Sequence, residues 1–269
     1  MAQIEQDIQS SLRLSVSKTK TFLDCKRKYQ FSYIQKLPKK DWDHHIFGKF
    51  CHKALEDFHN AYIINNSILP FNVEMGNAYK AAIKEFGAKM TPEMKKDCWD
   101  IVDKYLRIVT HDKKNNLSAN VLSCEKSFDF HVTENLVLNG MIDRIQMDAD
   151  NVVHVCDYKT VKNKKYLKND FFQLLTYAYV MLLENPDLEK VRASYICLRH
   201  DFEYITTEFS VPEILKVKDQ YIKYAEQMVS ETNFTPNPTA LCNFCDFLDK
   251  CPEGKTKSFN QNIYGEVAW

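Results

Sequence analysis

The chain has 269 residues, and its 36 Lys and Arg balance 36 Asp and Glu, so the formal net charge is zero. With 45% hydrophobic and 27% charged residues it carries enough apolar surface to offset chain entropy, which excludes disorder over most of its length and predicts one domain over residues 1–269. No apolar run of about 18 residues occurs and MAQIEQDIQS lacks the basic-then-apolar order of a secretion signal, so no membrane helix and a cytoplasmic location are expected.

Residues 15–35 read as a helix, capped by Ser15 or Ser17, with Phe22, Cys25, Tyr29 and Tyr33 at helical spacing. Residues 46–64 read as a second helix with a stripe of Phe47, Phe50, Ala54, Leu55, Phe58 and Tyr62, and two more follow at 73–90 and 92–112. These helices form an N-terminal cap over residues 1–115. The apolar period then shortens to two. Residues 121–132, 136–148 and 152–159 read as strands, with Gly140 marking a bend or bulge and Asp148–Asn151 a hairpin turn. An amphipathic helix over 167–184 stops near Pro186, and strands at 190–199 and 202–209 come next. Ser210-Val211-Pro212 opens a helix to residue 230, with proline in its first turn. Residues 116–232 are the expected core, 233–255 a cysteine loop and 256–269 a tail. This order predicts an α/β (α+β) core, not an all-parallel doubly wound sheet.

The chain has nine cysteines, an odd number that argues against a disulfide framework. Cys51, Cys98, Cys124, Cys156 and Cys197 are scattered singly and read as buried small hydrophobes. Cys242, Cys245 and Cys251 form C-x2-C-x5-C between prolines, a spacing that suits a metal or an iron–sulfur cluster. A fourth thiolate must come from elsewhere, and Cys25 stands in a basic stretch that favours one. Spacing leaves zinc and [4Fe–4S] at even odds.

Asp143 lies on the second expected strand and Asp157 ends the third, so a hairpin can join the two carboxylates. Clustered carboxylates repel unless a cation lies between them, and hard oxygen donors suit Mg²⁺ or Mn²⁺. Lys159 shares a strand face with Asp157, where it can orient a nucleophilic water and offset charge growing on a phosphate. Glu125 on the preceding strand and His52 from the cap are further possible ligands. Taken singly, Asp-x-Lys is commonly a surface ion pair and a helical histidine commonly a core residue.

As an ordered set the motifs resemble the PD-(D/E)XK nuclease superfamily and its RecB-like branch. The matching stretches are SVSKTKTFLDCKRKYQFSYI, GKFCHKALEDF with His52, NGMIDRI with Asp143, CDYKTVK with Asp157 and Lys159, and QLLTYAY with Gln173 and Tyr177. The resemblance covers roughly residues 13–255 and extends to CRISPR-associated exonucleases of the Cas-four type, their viral relatives and AddB-type nuclease modules. It implies a restriction-endonuclease-like core, and a [4Fe–4S] cluster on Cys25, Cys242, Cys245 and Cys251 that clamps the N-terminal helix to the cysteine loop and closes the cap. It also implies Mg²⁺ or Mn²⁺ held by His52, Asp143, Asp157 and the Tyr158 carbonyl. In the same pattern Lys159 is the catalytic lysine, Glu125 reaches the metal through water, and Gln173 and Tyr177 orient the site or touch DNA. Lys26 stands where the family usually has proline after the first cysteine, and no proline neighbours Asp143.

The resemblance implies a metal-dependent DNA exonuclease acting on single strands or DNA ends in recombination, repair or viral DNA metabolism, in the host cytoplasm for a viral member. Alternatives are a CRISPR-adaptation nuclease that trims spacer precursors beside protein partners, and a non-catalytic iron–sulfur DNA-binding scaffold. No G-x-x-x-x-G-K-[ST] occurs, so unwinding needs a partner. The zero net charge hides segregation. Residues 13–40 hold nine Lys and Arg against one Asp, and residues 159–168 hold five Lys and no acid. Both blocks flank expected chemistry, which predicts salt-sensitive DNA binding.

Overall fold

The computed structural model describes residues 11–111 and 120–259. The N-terminal segment read for a secretion signal, the end of the fourth expected helix and residues 260–269 of the tail lie outside the described residues. The chain opens on β1 (Leu12–Leu14) and α1 (Val16–Asp24), whose cap is Ser15, its hydroxyl accepting the Lys18 N–H at 3.2 Å. The single helix expected over 15–35 is interrupted. Cys25 takes extended backbone (φ −160°, ψ 106°), and α2 (Lys26–Tyr29) restarts after it and widens into a π turn over Gln30–Ile34. The thiol explains the break: Cys25 Sγ accepts the Lys28 N–H at 3.5 Å and so caps α2. Three long helices follow, α3 (Asp43–Ile63), α4 (Phe71–Phe86) and α5 (Pro92–His111), near the expected ranges.

Next come β2 (Asn120–Thr133), β3 (Leu136–Met147) and β4 (Val153–Lys159). The expected turn between the last two is present: Asn151 donates to the Asp148 carbonyl at 2.9 Å with φ 60°. The helix expected over 167–184 is split. A short 3₁₀ turn spans Lys165–Asn169, and α6 (Phe172–Glu184) starts only after Asp170, whose carboxylate accepts the Phe172 N–H at 3.2 Å. That local bond offers the backbone an alternative to continuous helix. The chain continues through β5 (Lys190–Cys197), β6 (Glu203–Ser210), α7 (Val211–Ser230) and α8 (Pro252–Phe259). No helix among the described residues is long and apolar enough to cross a membrane.

Contacts divide the described chain into two compact units. The first holds residues up to Lys40, Asp129–Gly140 and those from Lys216 onward. In it β1 runs parallel to the opening of β3, Leu12 opposite Leu136 and Leu14 opposite Leu138. An aromatic chain holds α2 to the C-terminal segment: Phe22 meets Tyr29 edge-on at 5.1 Å, Tyr29 stacks on Phe234 at 6.5 Å, and Phe31 meets Phe247 at 5.5 Å.

The second unit holds Asp41–Phe128 and Met141–Leu215. Its sheet is mixed: β3 and β4 are antiparallel, β4 and β5 parallel, β5 and β6 antiparallel. The parallel pair is joined through α6, the crossover that parallel neighbours require. The fold is thus the expected mixed α/β arrangement. The apolar stripe of α3 (Phe47, Phe50, Leu55, Phe58) packs with α4, α5 and the strand residues Tyr158 and Ile196 into one core.

Inside that core lies Arg144, fully buried, donating from Nη1 to the Tyr105 hydroxyl at 3.1 Å. The same hydroxyl is 2.5 Å from His59 Nε2, and burial followed by the Arg144 charge holds that ring well below its ordinary pKa. Arginine only donates, so Tyr105 accepts from Arg144 and passes its own proton to the neutral His59. Tyr105→Phe should cost about 2–3 kcal/mol in urea unfolding, because it leaves a buried cation and a buried imidazole each short of a partner. A change below about 0.5 kcal/mol would show that the network does not stabilise the fold.

Candidate active site and thiol site

Three of the second unit's elements converge on one cluster. His52 projects from α3, Glu125 from β2 and Asp143 from β3, and their ligand atoms all lie within 4.8 Å of one another. His52 Nδ1 is 3.4 Å from Asp143 Oδ2 and 3.7 Å from Glu125 Oε1. On the other side of the ring, Nε2 donates to the Tyr158 carbonyl at 3.0 Å. A carbonyl only accepts, so Nε2 carries a proton and Nδ1 faces the two carboxylates, where its lone pair is available to a metal that displaces the Nδ1 proton. The Tyr158 N–H donates to Asp143 Oδ2 at 2.8 Å. One peptide of β4 therefore braces both His52 and Asp143.

Glu125 reaches this cluster through its backbone. Its φ is +46°, in the left-handed region that side-chain-bearing residues avoid, although it lies inside a strand. Gly140, where a bend or bulge is expected, has no positive φ, so this left-handed backbone falls on a residue that bears a side chain. The left-handed turn re-aims one carboxylate out of the alternation of β2.

Electrostatics mark the cluster as a cation site. Burial, then the nearby charge of Asp157, pushes Asp143 up to about 7. Burial opposes charge on His52, but Asp143, Glu125 and Asp157 outweigh it and raise the ring to about 9. Two buried carboxylates strained by each other and drawing a proton onto a histidine fit a divalent cation in place of that proton.

Asp157 lies next to this cluster and is engaged elsewhere. Its Oδ2 is 2.6 Å from Lys159 Nζ, within ion-pair reach though off the angle of a hydrogen bond. Unlike a common surface Asp-x-Lys pair, this one is buried at the carboxylate, which is 4% exposed. Lys159 also donates to Gln173 Oε1 at 2.9 Å, and Gln173 donates to the Tyr177 hydroxyl at 2.8 Å. The structure thus places Asp157, Lys159, Gln173 and Tyr177 beside the His52–Glu125–Asp143 cluster. The Tyr158 carbonyl, expected as a metal ligand, is instead engaged by His52 Nε2 on the ring edge that faces away from the carboxylates. The sequence reading missed Tyr195, whose ring centroid lies 5.1 Å from Lys159 Nζ. Nothing in the KVRASYIC run singles it out, because only strand register places it there.

The first unit carries the thiol site. Cys25, Cys242, Cys245 and Cys251 line one small cavity, together with Lys28 and Gly254. Backbone N–H groups point at the sulfurs: Lys28 and Asn237 at Cys25, each at 3.5 Å, and Thr239 at Cys242 at 3.4 Å. Burial raises the Cys245 and Cys251 thiols, so bare thiolates are disfavoured there until a metal compensates. Gly254 adjoins the sulfurs: a Cβ built on it would be in van der Waals contact with Cys251 Sγ at 3.4 Å and Cys242 Sγ at 3.7 Å, and closest to Leu248 Cδ1 at 3.3 Å. Of the five scattered cysteines, Cys51, Cys98, Cys156 and Cys197 are buried, whereas Cys124 is only partly so.

Comparison with known proteins agrees with this geometry. The family model described as the PD-(D/E)XK nuclease superfamily matches residues 13–252. The solved structure of SSO0001 is 16% identical with a TM-score of 0.42, over 93% of this chain and 91% of that one. A protein of Eubacterium rectale, described as a "Putative exonuclease", is 10% identical with a TM-score of 0.51, over 90% of this chain and 88% of its own. At 10% identity the likeness to the Eubacterium rectale protein shows the fold alone. No curated protein matches the chain.

Proposed function

The chain belongs to the PD-(D/E)XK nuclease superfamily, and from that premise we propose that it is a metal-dependent DNA exonuclease of the RecB-like branch. The observation that carries this reading is the convergence of His52, Glu125 and Asp143 beside the Asp157–Lys159 pair. His52, Asp143 and Asp157 would hold Mg²⁺ or Mn²⁺, with Glu125 close enough to join them. The bound cation supplies Lewis acidity toward the scissile phosphate and lowers the pKa of its water. The protein does the positioning. The Tyr158 peptide fixes the His52 tautomer and the Asp143 rotamer, and Gln173 and Tyr177 hold the Lys159 ammonium where it can orient water and meet negative charge on phosphate.

Four converging sulfurs with backbone donors aimed at them support a [4Fe–4S] cluster as a structural element of the first unit. The ordered motifs support action on single strands or ends, in recombination, repair or viral DNA metabolism, in a cytoplasmic setting with protein partners of that pathway. The test is digestion by anaerobically purified protein. Brown protein should consume end-labelled linear DNA only with Mg²⁺ or Mn²⁺ and leave closed circles intact. Chelator-resistant digestion would overturn the mechanism, circle cutting would overturn the choice of ends, and tight binding without cutting would favour the scaffold reading.

A further inference from the structure

Tyr195 of β5 pairs in register with Asp157 of the parallel strand β4. In-register neighbours share a sheet face, and Asp157 and Lys159 are two residues apart on that same face. The phenol ring therefore stands beside both catalytic side chains. It is 2% exposed, with its centroid 5.1 Å from Lys159 Nζ. Its hydroxyl donates to the Asp170 carbonyl at 2.8 Å, and its ring stacks on Phe171 at 6.2 Å with 12° between the planes. Asp170 and Phe171 lead into α6, whose second residue is Gln173.

From this geometry, and resting on the nuclease reading above, we infer that Tyr195 is a positioning residue that holds the Lys159 ammonium through its ring face. A lysine ammonium sits on a flexible four-carbon stem and does not stay in one place without several contacts. Lys159 has three: Asp157 Oδ2 at 2.6 Å, Gln173 Oε1 at 2.9 Å and the Tyr195 ring at 5.1 Å. Asp157 is the charged one, and it is also a proposed metal ligand. A carboxylate committed to a divalent cation has less negative charge to offer an ammonium. Gln173 and Tyr195 are neutral and face that competition less. The ring's negative face attracts an ammonium directly, and more strongly away from water. Tyr195 also fixes Asp170 and Phe171, the residues that lead into α6, from whose first turn Gln173 reaches Lys159. It thereby supports both contacts that remain when Asp157 turns to the metal.

The experiment replaces the ring and reads two signals. Tyr195→Leu should lower single-turnover cleavage of saturating end-labelled DNA in Mn²⁺ by roughly ten- to thirtyfold, with DNA affinity nearly unchanged. Tyr195→Phe, which keeps the ring, should recover most of that loss. Because a leucine variant can fail to fold, a fluorinated phenylalanine series at position 195 keeps the shape and drains the negative face. Cleavage should fall stepwise with fluorine number. The second signal needs no activity: NMR of lysine-labelled protein should show the Lys159 ε-methylene protons shifted by the ring in wild type and released in Tyr195→Leu. A flat fluorine series, an equal loss in Tyr195→Phe, or unshifted ε-protons in wild type would overturn the inference. A wild-type protein that cuts no DNA in any divalent metal would instead sink the nuclease reading, and the NMR signal would still decide the contact.

Discussion

Asp143→Asn is expected to lower metal-dependent DNA cleavage by on the order of 10³-fold or more, because a cation at such a site contributes several kcal/mol to the transition state. Asp143 is the carboxylate nearest His52 Nδ1, and its Oδ2 accepts the Tyr158 N–H. The amide is nearly isosteric but carries no charge. The variant should therefore keep its fold while binding of Mn²⁺, read by calorimetry, weakens in parallel with cleavage. The direction of the pKa shift sharpens this outcome. An acid raised to about 7 in the folded state is harder to ionise there than in the unfolded chain, so it subtracts stability as pH rises through that value. Without metal, Asp143→Asn should therefore melt no lower than wild type at pH 8. Full activity in the variant, or collapse of its melting transition, would show that Asp143 is structural.

Cys25→Ser should remove the brown colour, bring bound iron far below wild type and make the C-terminal segment susceptible to protease. A folded metal site contributes about 10 kcal/mol or more of folding free energy in small metal-bound domains, as much as an ordinary domain's entire margin. In the first unit few elements compete with that contribution. The segment from Pro236 to Cys251 contains only short 3₁₀ turns over Ala240–Phe244 and Leu248–Lys250. Its order comes from ties such as Asn237 Nδ2 to the Asp24 carbonyl at 3.0 Å and Arg27 Nε to the Phe234 carbonyl at 3.0 Å. Two hydrogen bonds of that kind contribute about 1–3 kcal/mol together and burial of Phe247 against Phe31 about 2–4 kcal/mol more, still well below the metal site's contribution, so the thiol ligands should dominate. Visible absorbance, iron content and limited proteolysis check the result. A colourless wild-type protein that binds one zinc per chain would replace the cluster with the other metal that the spacing allows.

The candidate site was legible in the sequence where its chemistry depends on spacing along one strand. Asp157 and Lys159 are two apart, so any strand puts them on one face, and Asp143 lies one hairpin away. His52 was nameable as an imidazole on a helix, whereas the Gln173–Tyr177 pair was reached only through the family resemblance, whose motif sets them four apart on one helix. Glu125 was nameable as a carboxylate on the preceding strand, but its approach to His52 depends on a left-handed backbone in mid-strand, which no residue pattern announces. Tyr195 was invisible for a related reason. Its partner is 38 positions away across a parallel pair, and parallel register follows from how α6 packs, not from any local turn.

By itself the sequence determined the longer elements and their order, and which side chains have the chemistry for metal, phosphate and sulfur ligation. It did not determine the short β1 or α8, the latter lying where a loop and tail were expected. Amphipathic period, caps and turn residues act over a few neighbours, so they can be read without the rest of the chain. The breaks at Cys25 and Asp170 also rest on local caps, three and two residues long, but helical periodicity on either side of them masks the interruption. Only the tertiary structure decided which groups are strained by burial. A carboxylate's pKa depends on what excludes water from it and on which charges the fold brings within a few ångströms. The zero net charge of the chain, which speaks against DNA when averaged, says nothing of that local balance.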